Sequence, residues 1–266
     1  MRRRRPIFTK MMIRGIDVSR FQGKIDWETV KKSGIEFAII RAGFGGNLID
    51  DCFVRNISEC NRIGLPCGAF WFSYAYTPEM AVKEAEYCLA AIKPYRLEYP
   101  VCFDFEYDSA NYAERHGVKV TKALVSSMAE AFLLTVEKAG YFAMNYTNLD
   151  YYKHFYTDEI NRRFGLWLAG CADLENPPLS CYIAQHKDPV DNIPGIHGIV
   201  DIDASFIDFP KFLRDHGCNH LNDKWYTEAV EWAAKNGLSD GENPEEPISR
   251  AEMLVVLKRF ADYLKK

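Results

Sequence analysis

The sequence predicts an α/β protein: a TIM-like β/α barrel whose helices shrink after the last strands, followed by a small helical module. Three observations predict it. Apolar, β-branched runs alternate with amphipathic stretches along most of the chain, and such alternation calls for a parallel sheet joined by helices. Eight of these runs fall between Ile13 and Ile202, enough to close a barrel. Acidic residues stand at the ends of three of them, where barrels carry their chemistry.

In order, Ile13–Val18 reads as the first strand and Trp27–Ser33 as a short helix. Ile35–Arg41 is the second strand, followed by a helix over Val54–Ile63. Leu65–Tyr74 is the third, followed by a helix over Pro78–Ile92 that opens on proline, where the missing N–H costs nothing. Val101–Glu106 is the fourth, and Thr121–Ala139 a long helix stopped by Gly140. Tyr141–Tyr146 is the fifth. Leu166–Ala169, Cys181–Gln185 and Ile199–Ile202 complete the set with less helix between them. The barrel is expected over residues 13–212. Residues 1–12 form a basic leader, expected to be disordered and without the apolar stretch of a secretory signal. The tail, 219–266, reads as two helices, one over 225–233 and one opening at Ile248, with Ser249 as its cap.

A chain of 266 residues with 48% hydrophobic and 14% aromatic content can bury a sizeable core. Its net charge of −4 gives no sign of nucleic-acid binding, and no run is long enough to span a membrane. Eight cysteines include no CxxC pair, and several sit within apolar runs as small hydrophobes. Reduced thiols and cytoplasmic synthesis are the expectation. No metal is expected.

The triplet Asp104-Phe105-Glu106 carries the most chemistry. Strand residues two apart share a face, so the two carboxyls stand side by side about 7 Å apart at the backbone. Like charges that close keep one group protonated, and a protonated acid beside a carboxylate is what glycosidic cleavage needs. Asp17 ends the first strand. Asp201, with Asp203 two residues on, ends the eighth. The first and eighth strands are neighbours in a closed barrel and the fourth lies across from them, so these acids converge on one mouth.

Several ordered motifs point to a family. Ile16-Asp17-Val18-Ser19-Arg20-Phe21-Gln22-Gly23, followed by Ile25-Asp26-Trp27, resembles the opening signature of the family 25 glycoside hydrolases, the muramidase-type lysozymes of bacteria and phages. Phe37–Gly43 fits their second strand, Gly68–Ala75 their Tyr-rich third, and Asp104-Phe105-Glu106 their Asp-x-Glu pair. Gly198–Asp203 resembles their closing Val-Asp-x-Asn, with Asp203 in place of the usual Asn. The likeness runs from about Ile13 to Phe209. The seventh strand departs from it, reading Ile183-Ala184-Gln185-His186 where a Trp-Gln-Tyr-like motif is usual.

The resemblance implies cleavage of β-1,4 bonds between N-acetylmuramic acid and N-acetylglucosamine in peptidoglycan glycan strands, without a cofactor. Glu106 would be the general acid, and Asp104 would hold up its pKa and orient the sugar's acetamido group. An acid across the mouth activating water is the alternative route. Asp17 and Asp201 would stabilise charge or place that water. Trp71, Tyr74, Tyr146 and Trp167 would stack on or hydrogen-bond to sugars. Arg41 would bond Asp17 or substrate, and Gln185 is a candidate of the same kind, with Asp203 beside them. A chitinase-like glycosidase and a non-catalytic peptidoglycan-binding protein are the competing readings.

The tail resembles a single S-layer-homology-like repeat through Trp225, Ala229, Gly237 and Ile248–Glu252, with the usual Gly-Tyr-x-Asp-Gly-Thr-Phe loop poorly kept. It implies binding to wall polysaccharide, or self-association into a homo-oligomer that adds avidity. The setting implied is a phage endolysin, freed by a separate holin-type protein to reach the wall, or a bacterial autolysin.

Overall fold

The computed structural model describes residues 11–221, 227–242 and 248–264. The basic run at the start of the chain, Trp225 and positions 243–247 of the tail loop lie outside the described residues. The chain divides into two units, one ending at Leu221 and one starting at Asn222.

In the first unit, β1 (Ile13–Val18), β2 (Phe37–Phe44), β4 (Cys67–Phe72), β5 (Val101–Asp104), β6 (Ala143–Asn148), β7 (Gly165–Cys171) and β8 (Ile183–His186) run parallel in that spatial order. The last strand, β9 (Asp201–Ser205), pairs with both β8 and β1, and with the β1–β2 pairing it closes an eight-stranded barrel. A two-residue strand, β3 (Leu48–Ile49), folds back on β2. The helices are α1 (Trp27–Lys32), α2 (Phe53–Ile63), α3 (Pro78–Ile92), α4 (Tyr107–Arg115), α5 (Lys122–Lys138), α6 (Leu149–His154), α7 (Asp158–Arg163) and α8 (Phe209–Asp215). Among the described residues none lies between β7 and β9, in line with the expected loss of helices there.

Two expectations change at β9. A fully parallel sheet was expected, but β9 runs antiparallel to both neighbours. A parallel crossover usually needs a helix to carry the chain back to the far end. Residues 187–200 hold none and fold on themselves through a Val190–Val200 bridge, so β9 enters the sheet from the end that β8 has just left. The strand also starts later than the apolar run suggests: Ile199 is exposed, and the paired residues are Asp201–Ser205. Asp201 therefore opens its strand rather than ending it. It still reaches the mouth, because the strand's direction is reversed.

Alternation along each strand separates two cores. Outward residues such as Ile16, Val18, Ala38, Ile40, Trp71 and Phe103 pack with the helices. Inward residues Phe37, Ile39, Phe70, Cys102, Met144, Trp167 and Ile183 fill the barrel, and Phe209 and Leu213 of α8 join them. Phe37 stacks on Tyr99 with centroids 4.3 Å apart. The ring of Phe37 occupies the space beside Gly15, where a Cβ would come within 2.3 Å of it. Only glycine allows that approach. The chain after α8 belongs to the barrel too: the Asn219 side chain accepts from Phe142 N at 2.7 Å and donates to Tyr99 O at 2.9 Å.

The second unit contains α9 (Thr227–Lys235) and α10 (Arg250–Tyr263). Ser249 caps α10 as expected, in a reciprocal box with Glu252: each backbone N–H donates to the other's side chain, at 2.8 and 3.2 Å. Trp232 packs edge-on against Phe260 and Tyr263, and Leu238 is buried.

Candidate active site

β5 ends at Asp104, but the extended backbone continues through Glu106 (φ −125°, ψ −171°), which is the N-cap of α4. Its N–H donates to Ser109 Oγ at 3.1 Å, which fixes the turn. Phe105 between them is buried against Phe103 in the outer core. The two acids thus share the inner face, as alternation requires. Across the barrel, Asp17 and Asp201 are direct cross-strand partners, and so are Gly15 and Asp203. Such partners have Cβ atoms about 5 Å apart, so the β1–β9 wall sets like charges against each other.

Burial and like charge govern the electrostatics. Asp104 is buried, and burial followed by the charges of Glu106 and Asp17 pushes its carboxyl well above the ordinary range. Glu106 is also raised, first by burial, with Asp201 and Asp108 adding to the rise. A hydrogen bond joins Asp104 to Glu106, and two carboxyls can form one only if one of them keeps its proton. The expected tuning of Glu106 by Asp104 is corrected in its cause: burial holds the Glu106 carboxyl up, and the shared proton belongs to the pair rather than to either acid. On the opposite wall, burial and then Asp201 push Asp17 up to about 7. Asp201 is raised by burial, and Asp203 is raised well above the ordinary range by burial and then by Asp17.

Polar side chains link the two walls. Gln185 Nε2 donates to Asp17 Oδ2 at 2.7 Å, and Tyr146 Oη donates to Gln185 Oε1 at 2.9 Å. The Tyr146 hydroxyl also stands beside Glu106 and pulls its pKa down. Half-buried Tyr74 donates its hydroxyl to Asp108 Oδ2 at 2.5 Å.

Two expected sugar contacts, and one of the two partners offered for Arg41, are overturned. Trp71 points outward and is fully buried among the helices, so its faces are closed to sugars. Trp167 points inward but is also buried, and its indole N–H donates to Asp203 Oδ1 at 2.8 Å. Arg41 pairs with Asp50 at 2.8 Å, not with Asp17. Sequence reasoning missed Asp50, which arrives on the β3 hairpin, and Phe21. The Phe21 ring is 74% exposed and lies 5.0 Å from the Arg41 guanidinium and 5.5 Å from that of Arg20. It also missed Tyr107, exposed directly after Glu106, whose hydroxyl donates to Asp150 Oδ2. Their one sequence signal is an aromatic or acid within four residues of a strand-end acid or of the hairpin. Among the described residues no group of three or more His, Cys, Asp or Glu could hold a metal ion.

A β/α barrel whose mouth holds carboxyls on two facing walls, with protons shared inside them, has the equipment of an acid–base glycosidase. The family model of the glycosyl hydrolases family 25 matches residues 16–186, well over half of the chain, and the chain belongs to that family. It is 43% identical over 61 residues to Lysozyme M1 of Streptomyces globisporus, covering 23% of this chain and 21% of the relative. It is 24% identical over 194 residues to the Autolytic lysozyme of Clostridium acetobutylicum, covering 72% and 55%. These matches span about a fifth and about half of the two relatives' lengths. A family 25 glycosyl hydrolase from Bacillus anthracis superposes with a TM-score of 0.63 at 22% identity, over 78% of this chain and 96% of that one.

Proposed function

We propose that this chain is a peptidoglycan hydrolase of the muramidase type, cutting the β-1,4 bond between N-acetylmuramic acid and N-acetylglucosamine. The observation that carries the reading is the Asp104–Glu106 pair, one buried and one half-buried carboxyl on the same inner face, both raised by burial and faced across the mouth by Asp17 and Asp201. Membership of family 25 and relatives named lysozymes support it. Glu106, the more open of the pair, protonates the leaving glycosidic oxygen. Asp104 orients the acetamido group of the sugar whose bond breaks, so that its carbonyl attacks the anomeric carbon. If water attacks instead, Asp17 and Asp201 place it; the anomeric form of the first product, read by NMR, separates the two routes. Tyr74 and Tyr146 line the mouth for the glycan, and Gln185 positions Asp17.

The enzyme's place of work is the cell wall, as for an endolysin or autolysin. The second unit holds it there by binding wall polysaccharide or by bringing copies of the chain together.

Digestion of purified peptidoglycan with mass analysis of the products tests the activity. Muramic acid at the new reducing ends is the expected result. N-acetylglucosamine at those ends, or cleavage of chitin alone, overturns it. Glu106→Gln is expected to lower turnover by about a thousandfold while wall binding persists.

A further inference from the structure

Asp203 is a buried acid for which the cleavage chemistry above has no use. It is fully enclosed in the barrel. Its Oδ1 accepts the Trp167 indole N–H at 2.8 Å. No N–H or hydroxyl of the described residues reaches its Oδ2. The group beside it is another carboxyl: Asp17 is its diagonal neighbour on the inner face of the β1–β9 pair, where a proton on one acid can bridge the two. Two acids can be so joined only through a proton that one of them keeps.

The surroundings decide which. Asp17 already accepts an amide N–H from Gln185, a contact that favours its ionised form. Asp203 has one indole donor and no cation paired with it among the described residues. The charged groups that face it are acids: Asp17 on β1 and Asp201 on its own strand. Gln185 on β8 lies directly opposite, Cys102 and Cys171 are thiols with raised pKa values, and Tyr99 is a neutral phenol. Every charge near Asp203 therefore opposes its ionisation.

We propose that Asp203 stays a neutral carboxylic acid in the working enzyme and donates its O–H to Asp17, as a positioning residue that fixes Asp17 at the mouth. Trp167 orients the acid by holding its carbonyl oxygen. The outcome is a wall with two hydrogen-bond donors aimed at Asp17, Gln185 from β8 and Asp203 from β9. This rests on the muramidase reading for its catalytic consequence, and on the burial, the orphaned Oδ2 and the neighbours of Asp203 for the proton.

An amide has the same two faces as a neutral acid: a carbonyl for Trp167 and an N–H for Asp17. Asp203→Asn is therefore expected to keep kcat within about threefold and to leave both limbs of the pH profile in place. Asp203→Leu removes the donor and is expected to lower kcat about a hundredfold at unchanged KM. If Asp203 instead worked as an anion, the Asn variant would remove a negative charge beside Asp17 and move the profile by about one pH unit or more. A second readout needs no activity: the infrared carbonyl absorption of protonated carboxyls, recorded at pH 7.5. Asp203→Asn should lose a component of that absorption which Asp104→Asn retains. An Asn variant as damaged as the Leu variant, a shifted profile, or an unchanged infrared absorption overturns the proposal. Inactivity of the wild type on peptidoglycan overturns the muramidase reading instead, and leaves the infrared result to judge Asp203.

Discussion

At the scale of single residues, the mouth shows how one environment assigns different states to similar groups. Asp104 and Asp203 lie deepest and are the most strongly raised, while Glu106 and Asp201 are more open to solvent. Tyr146 is the group that most restrains Glu106, because the polar hydroxyl beside it favours the ionised carboxylate. Tyr146→Phe removes that restraint and raises the pKa of Glu106. A general acid works in its protonated form, so the alkaline limb of kcat/KM should move to higher pH in this variant, with kcat reduced about tenfold. A limb that stays in place would separate Tyr146 from the acid. Buried acids also tie stability to pH. Glu84, on α3, is buried beneath Ser73 and Tyr74 N, and burial pushes it up to about 7. A raised carboxyl binds its proton more tightly in the folded state, so its contribution is complete below the ordinary carboxylate range. It is lost as pH rises through about 7. For Glu84 alone the loss is on the order of 3 kcal/mol. Melting temperature should therefore fall between pH 4.5 and 8, and Glu84→Gln should flatten that fall.

At the scale of elements, the sequence was legible where one period ruled. The first, fourth and fifth strands and the helices α2, α3 and α5 lie close to where apolar patterning put them. The pattern failed where function intrudes on it. In β9 the inward positions are Asp201, Asp203 and Ser205, so the apolar count favoured a strand two residues too early. α4 escaped notice because its N-cap is Glu106, where Ser or Thr would have announced a helix. Trp71 was misplaced because barrel strands are apolar on both faces, and composition then gives no sign of which face looks inward. The mouth acids themselves were legible, since each interrupts an apolar run; their hydrogen-bond partners were not, because pairing across the barrel depends on register. Packing inside the barrel offers a sharp test. Gly15→Ala forces a methyl into the Phe37 ring and should cost about 1–3 kcal/mol, read as a lower urea midpoint. Phe37→Leu in the same chain should return part of that loss, since the two side chains compete for one space.

At the scale of the whole molecule, the division after Leu221 separates the barrel from the tail. Each mouth acid lies in the first unit. A chain ending at Leu221 should fold, clear soluble peptidoglycan fragments at close to the full rate, and bind intact walls more weakly. Equal retention on walls with and without residues 222–266 would remove the role proposed for the second unit. Asn219 must stay with the barrel in such a truncation, because its side chain ties the last turn to β6 and to the chain before β5.

The reversed last strand has a consequence for synthesis. β1 emerges first from the ribosome and waits for β9, which carries Asp201 and Asp203, before the ring can close. Contacts so distant along the chain form late. A nascent chain that has not reached β9 has Asp17, Asp104 and Glu106 but lacks Asp201 and Asp203 beside Asp17. The muramidase proposed above would thus be silent until β9 has been made.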